Sequence, residues 1–327
     1  MKLVVTVLLV VLAGVSAFGQ GSPTLRVVTD DPNLPSELFY GNVKVKPLRV
    51  RPGTNPPQII TINDTDFFVQ EHYIDFFSRM PDPSGFNFWN GDINNCSPKP
   101  ACTDLKRTNV SAAFFVSVEF QQTGYLVERL YRSAYGNATG NSANGAPHTL
   151  TVPIIRFNEF LPDTRIIGSG LVVGQPGWET LLENNKVAFI QAFVQRQRFV
   201  NAFPLSMTPT EFVDQLNTNA GNALDADQRT NAISLFSGAG DSSNTTARAQ
   251  VLRQVAEDQD LYNDEYNRAF VLMQYMGYLR RDPDSGPDTD YSGYDFWLNK
   301  LNAAHGNYVS SQMVRSFLVS GEYLNRF

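Results

Sequence analysis

The residues best suited to metal chemistry lie near the C-terminus, where four carboxylates fall within nine residues. The segment reads DPDSGPDTD, and the candidate ligands are Asp282, Asp284, Asp288 and Asp290. Calcium favours loops rich in oxygen ligands, and calcium is abundant outside cells. An EF-hand loop that begins at Asp282 would need glutamate at its twelfth position, where the sequence has Gly293. Low-affinity calcium binding is therefore one hypothesis, and a solvated acidic turn is the interpretation that the spacing favours. No other cofactor is indicated.

Two Phe-Trp pairs are the aromatic groups most able to bind a ligand. They are Phe88-Trp89 and Phe296-Trp297, and an aromatic face can stack on a sugar ring. Their helical spacing favours burial instead, because aromatic side chains dominate the packing energy of cores. The solvent exposure of the two tryptophans distinguishes a carbohydrate-binding module from a purely structural role.

Motifs for catalysis are missing from the sequence. It has no Gly-x-Ser-x-Gly elbow, no His-Glu-x-x-His and no phosphate-binding loop. The three histidines, His72, His148 and His305, stand in unrelated contexts. We therefore expect a protein that is not an enzyme. A hydrolase remains an alternative if two carboxylates lie about 5 to 10 Å apart in a cleft between helical units.

Charge and the N-terminus indicate where the protein acts. The net charge of -6 argues against a nucleic-acid-binding protein, since such domains are usually basic. An apolar run from Leu3 to Ala17 follows Lys2 and ends in small residues, which is typical of a secretory signal peptide at 1–17. The run is shorter than the roughly 20 residues that span a membrane. We expect a secreted protein, associated with the cell surface or released, whose mature chain has no membrane span.

The only two cysteines are expected to form a disulfide. Cys96 and Cys102 are separated by five residues, and an oxidising compartment favours their pairing. So short a loop contributes on the order of 2 kcal/mol. Pro98 and Pro100 lie inside the loop and predict a non-helical segment there.

The strongest signal is an internal repeat of helical character. The segment from Phe68 to Trp89 matches the segment from Phe270 to Trp297 after a six-residue insertion in the second copy. The shared motif consists of Arg79, Pro81, Asp82, Ser84, Gly85, Phe88 and Trp89 in the first copy, and of Arg281, Pro283, Asp284, Ser292, Gly293, Phe296 and Trp297 in the last. Further downstream, Glu119-Phe120 matches Glu322-Tyr323.

The repeat motif also predicts local interactions. Each arginine is expected to pair with the aspartate three residues later, which would join Arg79 to Asp82 and Arg281 to Asp284. Ser84 and Ser292 are placed to cap the helix that follows.

The apolar spacing predicts an all-α fold of stacked three-helix units after a short extended lead-in. The expected segments are the lead-in at 18–62, helical repeat 1 at 63–124, a divergent helical connector at 125–188, a weaker repeat 2 at 189–262 and repeat 3 at 263–327.

This motif resembles the bacterial family of unknown function numbered 4214 over about residues 66–327. More distantly, it resembles the helical domain of phycobilisome linker polypeptides, and Thr61-Ile62-Asn63-Asp64 is similar to the end of a Calx-β strand. The resemblance implies an exported, all-α protein, and it implies no catalytic residues. Taken together, the sequence predicts a non-enzymatic structural or interaction module that binds an extracellular protein or an envelope polymer.

Overall fold

The computed structural model describes residues 60–327 in full and, before them, the backbone of a few short strands. Most of these residues are helical, which confirms the all-α fold class. The signal peptide predicted at 1–17 lies outside the described residues. Within the described part of the chain, no helix combines the length and the apolar character needed to cross a membrane.

The lead-in contains the extended pieces expected there. Strands β1 (Leu25–Val28), β2 (Glu37–Tyr40) and β3 (Val43–Lys44) pair antiparallel in that order. Strand β4 (Arg49–Val50) pairs antiparallel with β5 (Ile59–Ile60), immediately before the first helix.

The first copy of the repeat forms successive helices around a core rich in phenylalanine. They are α1 (Thr65–Phe77), α2 (Pro83–Asn94), α3 (Pro100–Val116) and α4 (Val118–Gln122). Helix α1 ends with Ser78 in the left-handed conformation, before Pro81 is reached. Residues 95–99 are non-helical, as predicted, but helix α3 begins at Pro100, so the prediction is wrong from that residue onward. Proline fits the first position of a helix because the amide there has no partner within the helix.

Residues 124–273 form further helices around one antiparallel hairpin. The helices are α5 (Gly124–Tyr135), α6 (Phe157–Ile167), α7 (Trp178–Phe193), α8 (Gln197–Ala202), α9 (Pro209–Asn219), α10 (Ala226–Ser234), α11 (Thr245–Ala256) and α12 (Gln259–Met273). Helix α12 runs across the boundary expected between repeats 2 and 3.

The hairpin comprises β6 (Asn137–Ser142) and β7 (His148–Pro153), within the segment expected to be a helical connector. That connector is therefore helical only in part. The hairpin is held against the last copy of the repeat, because Ser142 Oγ donates to Asp295 at 2.7 Å and Ala143 N donates to Ser292 Oγ at 2.7 Å.

The last copy begins in α12 and continues as a π-helical turn, Gln274–Leu279. It is completed by α13 (Ser292–Ala303), α14 (Met313–Leu318) and α15 (Gly321–Leu324).

Internal contacts of the two terminal copies correspond residue by residue. Tyr73 packs edge-on to Phe114 with ring centroids 5.0 Å apart, and their counterparts Tyr275 and Phe317 do the same at 5.2 Å. Ser117 caps the short helix α4, and Ser320 caps α15 in the same way. The duplication inferred from sequence is therefore also a duplication of contacts.

The two terminal copies also contact each other through equivalent elements. Helix α3 packs on its counterpart α14, and α1 packs on its counterpart, the π-helical turn. Phe76 meets its own counterpart, Tyr278, with ring centroids 5.3 Å apart. The contacts between the copies therefore join equivalent elements and, at Phe76 and Tyr278, equivalent residues. Stacking of all successive units along the chain stays a prediction.

Candidate functional site

The repeat motif lines a pocket in each terminal copy. The first pocket lies among α1, α2 and the start of α4 and has a volume of about 340 Å³, and the second has about 280 Å³. Apart from Asp288, every residue that lines the second pocket is the counterpart of one that lines the first. The shared positions are Tyr73, Phe77, Arg79, Gly85, Trp89, Ala113, Phe114, Ser117 and Glu119 in the first pocket, and Tyr275, Leu279, Arg281, Gly293, Trp297, Ser316, Phe317, Ser320 and Glu322 in the second.

An arginine–glutamate pair lines each pocket. Arg79 Nε and Nη2 donate to the two carboxylate oxygens of Glu119, both at 2.7 Å. Arg281 makes the same two-pronged contact with Glu322 at 2.5 and 3.0 Å. Burial alone lowers the pKa of Arg79, but the hydrogen bond and charge of Glu119 outweigh it, so the pKa is raised. Each pair joins the end of the opening helix to the last short helix of its copy.

Of the two arginine–aspartate pairs predicted from the motif, the pair in the first copy is confirmed and the pair in the last copy is wrong. Arg79 does approach Asp82 at 3.6 Å. In the last copy Arg281 pairs instead with Asp288, at 2.7 Å, while Asp284 pairs with Arg156 at 2.8 Å. The six-residue insertion explains the difference, because it carries Asp288 to the place that Asp82 fills in the first copy.

A glycine in each pocket makes room for a tyrosine hydroxyl. A methyl group on Gly85 would overlap Tyr73 Oη, and one on Gly293 would meet Tyr275 Oη within 2.5 Å. Burial and the nearby Asp82 carboxylate raise the pKa of Tyr73 to about 12, so its hydroxyl stays protonated. The motif glycines therefore serve close packing at the pocket, which the sequence alone did not reveal.

The two motif tryptophans are half-buried. Trp89 and Trp297 pack on the core and also line the pockets, so neither is inaccessible to a ligand. Their neighbours are the unusual residues: Phe88 is 64% exposed and Phe296 is 44% exposed. Each phenylalanine packs edge-on to its tryptophan, with centroids 4.8 and 5.0 Å apart.

A second pair of counterparts, further along the chain, is also exposed. Val116 is 49% exposed and Val319 is 50% exposed. Both copies therefore present large apolar side chains to solvent at two matched positions.

The four carboxylates proposed for calcium do not converge. Asp282 and Asp284 face Arg156 at 3.2 and 2.8 Å, and Asp288 pairs with Arg281. Asp290 accepts a hydrogen bond from Ser292 N at 2.9 Å. Across the described residues, no group of three or more His, Cys, Asp or Glu is arranged to hold a metal ion. The loop is an arginine-binding turn, and the calcium hypothesis has no geometric support.

The serines predicted to cap the helices lie inside them instead. Asp82 is the residue that caps α2, accepting from Gly85 N at 2.9 Å, while Ser84 Oγ donates to Asp82. Ser292 is the first residue of α13, and its hydroxyl accepts from the hairpin amide of Ala143. A carboxylate is as good a cap as a hydroxyl, so the sequence did not distinguish Asp82 from Ser84.

Cys96 and Cys102 form the expected disulfide, with their Cα atoms 5.4 Å apart. The bridge ties the end of α2 to the first turn of α3.

A buried hydrogen-bonded chain connects the two copies, and sequence reasoning missed it. His72 Nδ1 contacts the carbonyl of Phe68 at 2.7 Å, and Nε2 contacts Ser111 Oγ, which lies 2.8 Å from Tyr278 Oη. A carbonyl only accepts, so Nδ1 carries the proton and Nε2 accepts from Ser111. Burial lowers the pKa of His72 to about 4. These hydrogen-bonded side chains are buried, so His72 is a packed neutral histidine rather than a catalytic base.

Carboxylates that approach one another are either bound to arginine or buried. In the first pocket Asp82 and Glu119 both face Arg79. Glu128 is fully buried, and burial together with the charge of Glu265 raises its pKa. Glu128 and Glu265 form a second pair of neighbouring carboxylates. In the sequence they are visible only as glutamates within the helices α5 and α12.

Comparison of the chain with models of protein families, with curated proteins and with solved structures found no significant match. The likeness to family 4214 therefore rests on the motif residues alone.

Proposed function

We propose that the chain is a secreted or cell-surface-associated interaction module, without enzymatic activity, that binds a protein or an envelope polymer through the two motif pockets. The observation that carries the proposal is the matched exposure of Phe88 and Phe296, each of which packs edge-on against the tryptophan that lines the pocket of its copy. Both copies keep the packed residues of the motif and an exposed phenylalanine beside the motif tryptophan.

Three further observations support this function. The N-terminal sequence is typical of export, and the disulfide is compatible with an oxidising compartment. The pocket carboxylates are committed to arginine, which makes them poor general acids or bases. His72 is buried and has no access to a substrate, which is compatible with a role other than catalysis.

Co-sedimentation with purified envelopes of the source organism tests the proposal. The full chain is expected to pellet with the envelopes, and the double variant Phe88→Ala, Phe296→Ala is expected to lose at least tenfold in affinity. Removing exposed side chains should leave the thermal unfolding temperature unchanged, because little buried area is lost.

A matched control removes exposed apolar residues elsewhere. Val187 and Ile166 are 52% and 50% exposed and lie outside the motif. The double variant Val187→Ala, Ile166→Ala should bind like the unaltered chain. If it loses affinity equally, or if the unaltered chain does not bind envelopes, the proposed function is wrong.

A further inference from the structure

We infer that each motif pocket binds one neutral sugar ring, an inference that rests on the proposed function and names the ligand of the same sites. The chain would then be a bivalent binder of neutral saccharides. Four features of the pockets carry this inference: their aromatic walls, their acceptor-rich polar groups, their net charge and their duplication.

An aromatic wall stands beside polar groups in both pockets. Trp89 and Phe114 line the first, with ring centroids 6.1 Å apart, and Trp297 and Phe317 line the second at 5.7 Å. Ligand sites commonly combine apolar walls with a few placed polar groups. A pyranose matches this combination because it carries C–H faces and a rim of hydroxyls.

The carboxylates keep hydrogen-bond acceptor capacity in the first pocket. Arg79 directs one donor each from Nε and Nη2 to Glu119 and one donor from Nη1 to the carbonyl of Met80. Each carboxylate offers about four lone-pair positions, and the bonds to Arg79 occupy two of those on Glu119. Acceptors of this kind select ligands with several O–H donors.

The charge of the pockets argues against an anionic ligand. The first pocket has one cation, Arg79, and two carboxylates, Asp82 and Glu119. The second has Arg281 with Asp288 and Glu322. Both arginines are engaged by these carboxylates, so neither is available to an acidic sugar or a phosphate.

Aromatic pockets with carboxylates also attract organic cations, but the chain supplies its own cation here. The Arg79 guanidinium lies 4.9 Å from the Tyr73 ring centroid and 5.5 Å from that of Phe77. In the second copy Lys300 Nζ lies 5.1 Å from the Trp297 ring. A neutral ligand therefore competes with fewer existing contacts than a cation does.

Lys300 also makes the two sites unequal. Its counterpart in the first copy is Asp92, which pairs with Lys106 at 2.5 Å. The first site should consequently bind more tightly than the second, because no displacement of a lysine from Trp89 is needed.

Fluorine NMR of the full chain labelled with 5-fluorotryptophan tests the inference directly. The chain has three tryptophans, so Trp178 on α7 provides an internal control. Methyl glycosides of glucose, galactose and mannose, together with N-acetylglucosamine, are the probes. At least one is expected to shift the Trp89 and Trp297 resonances saturably, with Kd on the order of 1 mM, as befits so small a ligand. The Trp178 resonance should not move.

The variant Asp82→Asn tests the polar side of the first site. Asparagine caps helices as well as aspartate does, so α2 should stay intact. Binding reported by Trp89 should weaken at least tenfold while binding reported by Trp297 stays unchanged. Equal weakening at both sites, or none at either, would overturn the assignment of Asp82 to the ligand.

Other probes separate the competing chemistries. If tetramethylammonium binds and no sugar does, the sites are cation cages. If cyclohexanol binds with the same affinity as the sugars, they are apolar grooves. If glucuronate binds more tightly than methyl glucoside, the charge argument fails. Each result overturns the inference, as does the absence of any shift. If the unaltered chain still binds envelopes and the Phe88→Ala, Phe296→Ala variant does not, the proposed function stands even though the sugar inference is wrong.

A soluble neutral polysaccharide distinguishes a polymer ligand from a free sugar. If both sites engage one polymer, it should bind about 100-fold more tightly than its monosaccharide. If the polysaccharide, counted per sugar ring, binds no more tightly than the monosaccharide, bivalent engagement is contradicted and the free sugar is the ligand.

Discussion

Phe76 and Tyr278 occupy the same position in the two terminal copies, and their rings pack edge-on with centroids 5.3 Å apart. Each ring also packs on the aromatic residue that ends its own copy, Phe120 at 5.6 Å and Tyr323 at 5.8 Å. The contact between copies therefore continues the aromatic packing within them. It places the two halves of the repeat, which lie about two hundred residues apart in the chain, in one core.

The Arg79–Glu119 pair should contribute measurably to stability. Replacing Arg79 with lysine keeps the charge and removes the two-pronged geometry, so we expect a loss of about 1–3 kcal/mol in the free energy of unfolding. Arg281→Lys should behave alike. Urea unfolding measures both effects. Arg229→Lys is the matched control, since Arg229 contacts Asp214 in the same way at an exposed site and should change stability by less than about 1 kcal/mol.

Gly85→Ala should be destabilising because of a single steric overlap. The added methyl group would overlap Tyr73 Oη, and overpacking of this kind costs about 1–3 kcal/mol. Adding Tyr73→Phe to Gly85→Ala should recover part of that loss. Gly91 lies in the same helix with open space around it, so Gly91→Ala should stabilise by about 0.5–1 kcal/mol. Thermal unfolding of the variants checks the prediction, and similar losses for both alanine variants would refute it.

His72 should make the protein sensitive to acid. Its pKa is lowered from 6.5 to about 4, chiefly by burial, while Asp75 opposes the shift and Arg107 and Arg326 add to it. The unfolded chain therefore gains a proton at a higher pH than the folded chain does. Stability that is fully present above pH 6.5 is lost as the pH falls toward 4, by about 3 kcal/mol in total.

The last copy suggests the variant that tests this. Gln274 is the counterpart of His72, and its Nε2 donates to the carbonyl of Phe270 at 2.9 Å, just as His72 Nδ1 donates to that of Phe68. His72→Gln keeps this bond without a titrating ring. Its stability should depend less on pH between 6.5 and 4 than that of the unaltered chain. Parallel curves of unfolding free energy against pH would contradict the assignment.

Glu128→Gln should stabilise the protein at neutral and alkaline pH. Burial and the charge of Glu265 raise the pKa of Glu128 above its ordinary 4.5, and the charges of Arg268 and Arg129 oppose the shift only in part. Stability is thus present below pH 4.5 and is lost as the pH rises through the folded pKa. The neutral amide avoids that loss, so we expect a gain of about 1–3 kcal/mol at pH 7 and little change at pH 4. A destabilised variant at pH 7 would show that the ionised carboxylate is required.

Apolar spacing predicted the helices more reliably than the rules for proline and for helix caps did. The opening helix of the first copy, Thr65–Phe77, lies in the segment where the apolar spacing predicts a helix. The hairpin at 137–153 was missed because it replaces helix in a segment with no strong periodicity. The cap at Asp82 was assigned to Ser84 because aspartate and serine are both preferred N-cap residues, and they lie only two residues apart in the sequence.

By itself the sequence determined the helical class, the duplicated motif and the cysteine pair, since all three depend on residue type and short-range spacing. Only the tertiary structure decided which charges meet. Glu119 lies forty residues beyond Arg79, and Arg156 reaches Asp284 from a different unit. Such pairs depend on where the helices are packed, and the same packing buries Trp89 by half while leaving Phe88, its neighbour in sequence, exposed. The motif residues were visible in the sequence. The pocket that they line in each copy forms only when the helices of that copy pack together.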